Sequence, residues 1–283
     1  MKVLVLGAGG MAGHVVSLYL KEHQFTVDTL SARNRVDGHT HLVDVTDRAR
    51  LDAFLAGSDY DVVVNCIGVL IKQSEERPDL AVYLNSYLPR HLEARYIDSA
   101  TRVIHISTDC VFSGKNAPYR EDSVYDGELF YDRSKALGEI VNDKDLTFRM
   151  SIVGPDMHPE GVGLFNWFCA QTGEISGYTQ AIWSGITTIE LAKGIEAAIS
   201  GGLTGLYHLV PSSGISKFDL LQLFKDVFRR ADVAVLPSDG VRSDKTLVNS
   251  RTDFDHRVPD YKTMVEEMRS WITAHASLYE HYR

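Results

Sequence analysis

The stretch K-V-L-V-L-G-A-G-G-M-A-G-H-V-V-S-L-Y-L, residues 2–20, decides the fold of this chain. Its first five residues form an apolar, partly β-branched run, which is typical of a buried parallel strand. Glycines dominate residues 7–13, and Val15, Val16 and Leu20 then recur at helical spacing. A strand, a glycine turn and a helix in this order predict the opening unit of an α/β fold with a parallel sheet.

The glycines of this turn have the spacing G-x-x-G-x-x-G, at Gly7, Gly10 and Gly13. Glycine permits a tight turn and lets backbone N–H groups approach a pyrophosphate at the start of a helix. We therefore predict that these three glycines, with Met11 and Ala12, form a dinucleotide-binding site. A glycine-rich turn without a ligand is the alternative.

The same rhythm of strand and helix continues for about half of the chain. Further strands are predicted over residues 25–30, 41–47, 61–68, 103–109 and 146–154. Strands that alternate with helices form a parallel sheet that is covered on both faces. The predicted fold class is thus α/β, a Rossmann-type doubly wound parallel sheet.

The rhythm ends after Gly154, and this break predicts a second, smaller domain. We assign residues 1–153 to an NADP-binding Rossmann domain, to which a helix in about 178–203 returns. Residues 154–177 and 204–283 are assigned to an interwoven C-terminal α/β substrate-binding domain. This second domain is expected to cover the cleft of the first.

Composition excludes several classes of function. The chain has 283 residues and a formal net charge of −9, which argues against nucleic acid and anionic membranes as partners. The longest apolar run, residues 62–71, contains Asn65 and is too short to cross a bilayer. The three cysteines are scattered without metal-ligand spacing. We expect a cytoplasmic protein that has no metal, no nucleic-acid partner and no membrane partner.

The end of the second strand bears on the choice of cofactor. A cofactor with a free ribose 2′-hydroxyl usually meets Asp or Glu here, whereas this chain has S-A-R-N-R. Asp28 comes three residues too early. Ser31 and Arg33, with Arg35 as a substitute, predict a site for a 2′-phosphate, so NADPH is expected in preference to NADH. Arginines that are only solvated are the alternative.

Two more strand ends are expected to reach the cofactor, because parallel strands end at the same edge of the sheet. Asp44 and Val45 follow the third strand, where they are expected to border the adenine. Cys66, Ile67 and Gly68 form the exit of the fourth strand.

Catalytic groups are predicted between Ile104 and Glu139, which contains I-H-I-S-T-D-C-V-F-S-G and Y-D-R-S-K-A-L-G-E. Tyr131 and Lys135 lie one turn apart if the second motif is helical. An ammonium beside a phenol lowers the pKa of the phenol, which can then exchange a proton near neutral pH. Ser107 and Thr108 end the fifth strand. A packed tyrosine and a solvated lysine are the alternative.

Motifs along nearly the whole chain carry a family resemblance: V-L-G-A-G-G-M-A-G-H, D-V-T-D, V-V-N-C-I-G, I-S-T-D-C-V-F-S-G, Y-D-R-S-K-A-L-G-E, F-R-M-S-I-V-G and G-L-Y-H-L-V. With these motifs the chain resembles extended short-chain dehydrogenases/reductases, and most closely the RmlD-like (dTDP-4-dehydrorhamnose reductase-like) nucleotide-sugar reductases. The resemblance implies that Thr108, or else Ser107, binds the substrate carbonyl and that Tyr131 protonates it. Lys135 would hold the ribose hydroxyls and lower the Tyr131 pKa.

The function implied by this resemblance is the NADPH-dependent reduction of a nucleotide-diphosphate keto-sugar in cell-surface polysaccharide biosynthesis. A sugar of the 4-keto-6-deoxyhexose type is the expected substrate. Ser107, Asp109, Asn166 and Arg242 are the expected substrate contacts, the last two at the diphosphate. A homodimer is the expected assembly.

Departures from the family pattern leave alternatives open. Cys110 replaces the usual tyrosine, and related 4,6-dehydratases have a catalytic glutamate there, so dehydration is not expected. Ser113 replaces the usual aspartate. A nucleotide-sugar epimerase is one alternative, although such relatives favour an acid where this chain has Ser31. A non-catalytic regulatory subunit is another, although such relatives typically lose Tyr131 or Lys135.

Overall fold

The computed structural model describes residues 1–282. Its strands are β1 (Lys2–Leu6), β2 (Thr26–Ser31), β3 (Thr40–Leu42), β4 (Val62–Asn65), β5 (Arg102–Thr108), β6 (Leu146–Met150), β7 (Ile152–Val153), β8 (Gly173–Trp183), β9 (Ile186–Thr187), β10 (Gly205–His208), β11 (Ile215–Ser216) and β12 (Val233–Asp244). Its α-helices are α1 (Met11–Glu22), α2 (Arg48–Ala56), α3 (Ile71–Glu76), α4 (Pro78–Ala81), α5 (Leu88–Arg95), α6 (Phe130–Gly138), α7 (Leu164–Cys169), α8 (Thr188–Gly201), α9 (Lys217–Phe228) and α10 (Tyr261–Ala274).

A seven-stranded parallel sheet in the order β10-β6-β5-β4-β1-β2-β3 forms the centre of the molecule. Successive residues of β1 enter different cores. Val3 and Val5 pack in the core that contains α1 and α8, whereas Leu4 and Leu6 pack in the core that contains α2 and α5. A strand buried on both faces is apolar throughout, which explains the run K-V-L-V-L. The predicted Rossmann-type doubly wound fold is confirmed.

The helical segment around Asn85 contains an irregularity. Between α4 and α5, residues Val82–Tyr87 form a π-helical turn. Pro89 has no backbone N–H to donate to the Asn85 carbonyl one turn earlier, so the regular hydrogen-bond pattern is interrupted there. A Cβ on Gly138 would lie 1.9 Å from that carbonyl oxygen, so α6 packs directly against the turn.

A second sheet, in the order β11-β8-β12, carries α9 on one side. The Ser216 hydroxyl accepts a hydrogen bond from Asp219 N at 3.0 Å and so caps the start of α9. Strand β12 extends to Asp244 and pairs with β8.

The predicted domain boundaries disagree with the strand pairing at two places. β10 lies in the range 204–283 that was assigned to the second domain, yet it pairs with β6 in the main sheet. Residues 178–183, assigned to the returning segment, instead complete β8 of the second sheet. Helix α8 does return and packs on α1. Pairing partners distant in sequence decide both cases, and a local pattern contains no information about them. The division into two domains stays a prediction.

Candidate active site

The glycine turn between β1 and α1 requires glycine at two positions. Gly7 has a φ of +82°, and a Cβ on Gly13 would lie 2.2 Å from the Gly7 carbonyl oxygen. Gly10 precedes α1 and provides no side-chain cap. The first backbone N–H groups of α1 are therefore available to an anionic ligand, which suits a pyrophosphate.

The exit of β4 joins this turn to α6. A Cβ on Gly7 would lie 2.9 Å from Ile67 Cγ1, and a Cβ on Gly68 would lie 3.9 Å from Lys135 Nζ. Cys66, between β4 and Ile67, also lies close enough to Lys135 to influence its pKa. The structure thus brings the predicted residues of the glycine turn, the β4 exit and α6 into one crevice at the carboxyl edge of the sheet.

The predicted 2′-phosphate region lies beside the glycine turn. Ser31 is buried at the end of β2, with its Oγ 3.1 Å from the place of a Cβ on Gly9. Arg33 is exposed. Arg35, the predicted substitute, is instead used within the loop, because its Nη1 donates to the Thr40 carbonyl at 2.5 Å. Asp28 accepts a hydrogen bond from Tyr60 at 3.1 Å, which keeps its carboxylate away from the crevice.

The predicted adenine border follows β3, which is shorter than expected and ends at Leu42. Hydrogen bonds from Thr46 hold the pKa of Asp44 below its usual range, and Arg33 adds to this effect. Val45 is buried, and its carbonyl accepts a hydrogen bond from Tyr83 at 3.0 Å. Both residues follow the end of a strand of the main sheet, as predicted.

Helix α6 presents the predicted catalytic pair. The Asp132 carboxylate accepts a hydrogen bond from Leu129 N at 3.1 Å and caps the start of the helix, so Tyr131 lies in its first turn. Tyr131 is 8% exposed and Lys135 is 5% exposed. The alternative of a solvated lysine is therefore wrong. Lys135 Nζ donates to the Ile106 carbonyl at 2.7 Å, which ties α6 to β5.

The pKa of Tyr131 differs from the sequence expectation. Burial raises the pKa of the phenol, the neighbouring Cys110 adds to the rise, and a hydrogen bond with Thr108 opposes it. The Lys135 ammonium donates a hydrogen bond to the Ile106 carbonyl, and burial lowers the pKa of Lys135 to about 8. The phenol is accordingly protonated at neutral pH and able to donate a proton.

Ser107 and Thr108 point to different sides of β5, as successive residues of a strand do. The Ser107 hydroxyl donates to Glu139 Oε1 at 2.6 Å inside the protein. Thr108 instead lies beside the Tyr131 hydroxyl, on whose pKa it acts, and accepts a hydrogen bond from Cys110 N at 3.1 Å. The prediction of Ser107 as a substrate contact is therefore wrong, and Thr108 alone remains for the carbonyl.

Three further residues were predicted to contact the substrate. Asp109 is buried beside Thr108, whose hydroxyl donates to it at 3.1 Å. Asn166 is occupied elsewhere: its amide donates to the Gly154 carbonyl at 3.0 Å and accepts from the C-terminal Tyr282. Arg242 is exposed on β12. Within residues 1–282 no hydrogen bond or ion pair connects Asn166 or Arg242 with Thr108 or Tyr131.

Sequence reasoning missed two basic residues near the site. Burial raises the pKa of Asp109, while the charges of Lys245 and Lys217 act against that rise. Lys217 is the first residue of α9. A cation at a helix N-terminus is unfavourable by itself, and this was the signal in the sequence that marks Lys217 as unusual.

Cys110 completes the surroundings of Tyr131. Burial raises the pKa of its thiol to about 12, and Asp109 adds to the rise. Such a thiol is not a base at neutral pH, which agrees with the expectation that this chain does not catalyse dehydration.

Residues 1–282 contain no group of three or more His, Cys, Asp or Glu that could hold a metal ion. In the same range, no helix has the length and apolar character needed to cross a membrane. The cytoplasmic location and the homodimer stay predictions.

A glycine turn opening a parallel sheet, with threonine, tyrosine and lysine at its carboxyl edge, is the arrangement of the short-chain dehydrogenases/reductases. Residues 1–246 match the family described as the RmlD substrate binding domain. The chain belongs to this family, and the resemblance seen in its motifs is confirmed.

Individual relatives differ in role. The "probable low-salt glycan biosynthesis reductase" of Haloferax volcanii is 29% identical over 234 residues, or 77% of each chain. Methionine adenosyltransferase 2 subunit beta of Xenopus tropicalis is 27% identical over 139 residues, which cover 49% of this chain and 41% of that protein. The structure of Bacillus anthracis dTDP-4-dehydrorhamnose reductase in complex with NADP has a TM-score of 0.81 and 20% identity over 95% of this chain and 99% of that chain. At this identity the likeness shows the fold.

Proposed function

We propose that the chain is an NADPH-dependent reductase of a nucleotide-diphosphate keto-sugar of the 4-keto-6-deoxyhexose type. One observation carries the proposal: the buried Tyr131 phenol, whose pKa is raised, lies beside the Thr108 hydroxyl at the carboxyl end of β5. Lys135 is buried one helical turn further along α6. The named reductase among the relatives supports the reaction type, and the related structure with NADP supports the cofactor.

The chemistry assigns one task to each of these residues. When bound, the dihydronicotinamide supplies a hydride to the ketone carbon. Thr108 holds the carbonyl oxygen, and Tyr131 gives that oxygen its proton as negative charge develops, so the ketone becomes an alcohol. Tyr131 is left as a phenolate, which regains a proton from water. Lys135 has one N–H held by Ile106 and two left for ribose hydroxyls.

The preference for NADPH rests on the surroundings of the glycine turn. Ser31 lies against the turn, and Arg33 is exposed next to Asp44. We assign the 2′-phosphate to Ser31 and Arg33, because a guanidinium binds a phosphate through paired, charge-assisted hydrogen bonds. The absence of an acid at the end of β2 removes the usual partner of a free 2′-hydroxyl.

The diphosphate of the substrate needs a local positive charge in a chain whose net charge is −9. Lys217 and Lys245 act on Asp109, which adjoins Thr108. Neither ammonium forms an ion pair with an acidic side chain within 4.0 Å in the part of the chain described. We therefore assign the diphosphate to these two lysines in place of Asn166 and Arg242.

A turnover experiment tests the proposal. The protein is incubated with NADPH and a panel of dTDP- and UDP-linked 4-keto-6-deoxyhexoses, while the consumption of NADPH is followed. Stoichiometric consumption with formation of the hydroxy sugar is expected. Sugar conversion without net NADPH consumption would identify an epimerase instead.

A regulatory subunit is the second candidate, because a subunit of methionine adenosyltransferase is among the relatives. Tyr131 and Lys135 are both present and buried in the crevice, which favours the reductase. NADPH binding without turnover of any keto-sugar in the panel would favour the subunit.

A further inference from the structure

Lys135 of α6 and Glu139, the residue that follows α6, are buried and form hydrogen bonds with two consecutive residues of β5. Lys135 Nζ donates to the Ile106 carbonyl at 2.7 Å, and Glu139 Oε1 accepts from the Ser107 hydroxyl at 2.6 Å. Lys135 and Glu139 are four residues apart, so they lie on the same side of this segment. Thr108 follows Ser107 directly. The two contacts therefore set the distance between α6, which carries Tyr131, and the end of β5.

The Glu139 carboxylate also accepts hydrogen bonds from Arg149 and Tyr125. Its Oε1 accepts from Arg149 Nε at 2.9 Å, and its Oε2 accepts from Arg149 Nη2 at 2.5 Å and from the Tyr125 hydroxyl at 2.7 Å. Glu139 is 1% exposed and Arg149 is 0% exposed. A bidentate pair of this kind is rigid, because both planar groups are oriented by two hydrogen bonds.

The remaining nitrogen of the Arg149 guanidinium, Nη1, contacts the neutral imidazole of His208. Arg149 Nη1 donates to His208 Nε2 at 2.9 Å, and His208 Nδ1 donates to the Val248 carbonyl at 2.9 Å. Burial lowers the pKa of His208 to about 4, and Arg149 contributes to the lowering. The cluster of Glu139, Arg149 and His208 thus has one negative and one positive charge.

We propose that Glu139 is a positioning residue for the reduction: it fixes α6 against β5, and its negative charge, four residues from Lys135, acts on the Lys135 ammonium. This inference rests on the proposed function, because it assigns Lys135 to the ribose of the cofactor.

The other titratable groups around Lys135 are neutral and do not supply a negative charge in place of Glu139. Cys66 at the β4 exit has a pKa raised by burial to about 12, so it is neutral. His105 of β5 has a pKa lowered by burial and by Lys135 itself, so it is neutral as well. Tyr131 on the same helix is protonated. Burial lowers the pKa of Lys135 to about 8, and Glu139 is the first influence that acts against burial.

The consequence is a defined pH dependence of cofactor binding. Lys135 binds ribose oxygens as an ammonium, so NADPH affinity falls as pH rises through its pKa. Loss of the Glu139 charge lowers that pKa. The alkaline loss of affinity then begins at a lower pH.

The test measures the dissociation constant of NADPH between about pH 6 and pH 10, the range in which Lys135 titrates. Glu139→Gln is compared with wild type and with the double variant Glu139→Gln/Arg149→Gln, which leaves no unpaired buried charge. We expect the midpoint of the alkaline loss to move down by about one pH unit in Glu139→Gln, and by a smaller amount in the double variant, which also removes the positive charge of Arg149. Tyr125→Phe is the matched control, because it removes one hydrogen bond from the same carboxylate and leaves its charge; its midpoint should equal that of wild type.

Ser107→Ala separates the two roles of Glu139. It removes the contact to β5 and no charge, so we expect a lower kcat with an unmoved midpoint. Wild-type kcat in Ser107→Ala would overturn the positioning role, even if the Glu139 variants did not fold. A wild-type midpoint in a folded Glu139→Gln or double variant would overturn the electrostatic role. Failure of wild-type protein to bind NADPH at any pH would refute the proposed function instead.

Discussion

Replacing the Tyr131 phenol tests the proposed chemistry most directly. Tyr131→Phe keeps the ring in a position that is 8% exposed and removes only the hydroxyl, which lies beside Thr108. Because burial raises the pKa of this phenol, it is a proton donor in wild type, and water must replace it in the variant. A positioned acid contributes about 10²-fold or more to the rate. The expected loss is therefore at least about 2.7 kcal/mol of transition-state stabilisation.

The cost to stability is smaller and is measured separately. One buried hydrogen bond contributes about 0.5–1.5 kcal/mol, so the Tm of Tyr131→Phe should fall by about 5 °C or less. The dissociation constant of NADPH should stay within about threefold of wild type, because Lys135 and the glycine turn are unchanged.

The assay is steady-state turnover of a keto-sugar with saturating NADPH, together with NADPH binding and thermal unfolding. Tyr96→Phe is the matched control: Tyr96 is 7% exposed, at the end of α5, and it should keep wild-type kcat. A kcat of Tyr131→Phe within threefold of wild type, in folded protein that binds NADPH, would refute Tyr131 as the acid.

Three more predictions follow from the structure. Arg33→Ala should raise the KM for NADPH by about tenfold, since one charged contact to phosphate contributes about 1.5 kcal/mol. The KM for NADH should stay unchanged. Equal effects on the two KM values would show that Arg33 does not bind the 2′-phosphate. Lys245→Met should raise the KM for the nucleotide sugar more than it lowers kcat, while NADPH binding stays as in wild type; an unchanged KM would contradict the assignment of the diphosphate. The free energy of unfolding should fall as pH drops from about 6.5 to about 4. Burial lowers the pKa of His208 from 6.5 to about 4, so in this range the imidazole of His208 takes up a proton in the unfolded chain before it does so in the folded protein. Urea unfolding at several pH values checks this, and a folded His208→Gln variant with the same pH dependence would exclude His208 as its source.

The sequence by itself determined the features that depend on neighbours along the chain. The strand, glycine turn and helix of residues 2–22 follow from short-range periodicity and from the conformational freedom of glycine. The placement of Tyr131 and Lys135 on one side of α6 follows from the helical repeat. Motifs of this kind also predicted the family, which the match of residues 1–246 confirms.

Tertiary structure alone decided which of the candidate side chains enter the crevice. Thr108 faces Tyr131 whereas Ser107 faces Glu139, and Lys217 and Lys245 approach Asp109 from a distant part of the chain. It also decided the direction of the Tyr131 pKa, because burial outweighs any charge four residues away. Strand pairing, desolvation and charge proximity join residues far apart in sequence, and a local pattern does not specify them.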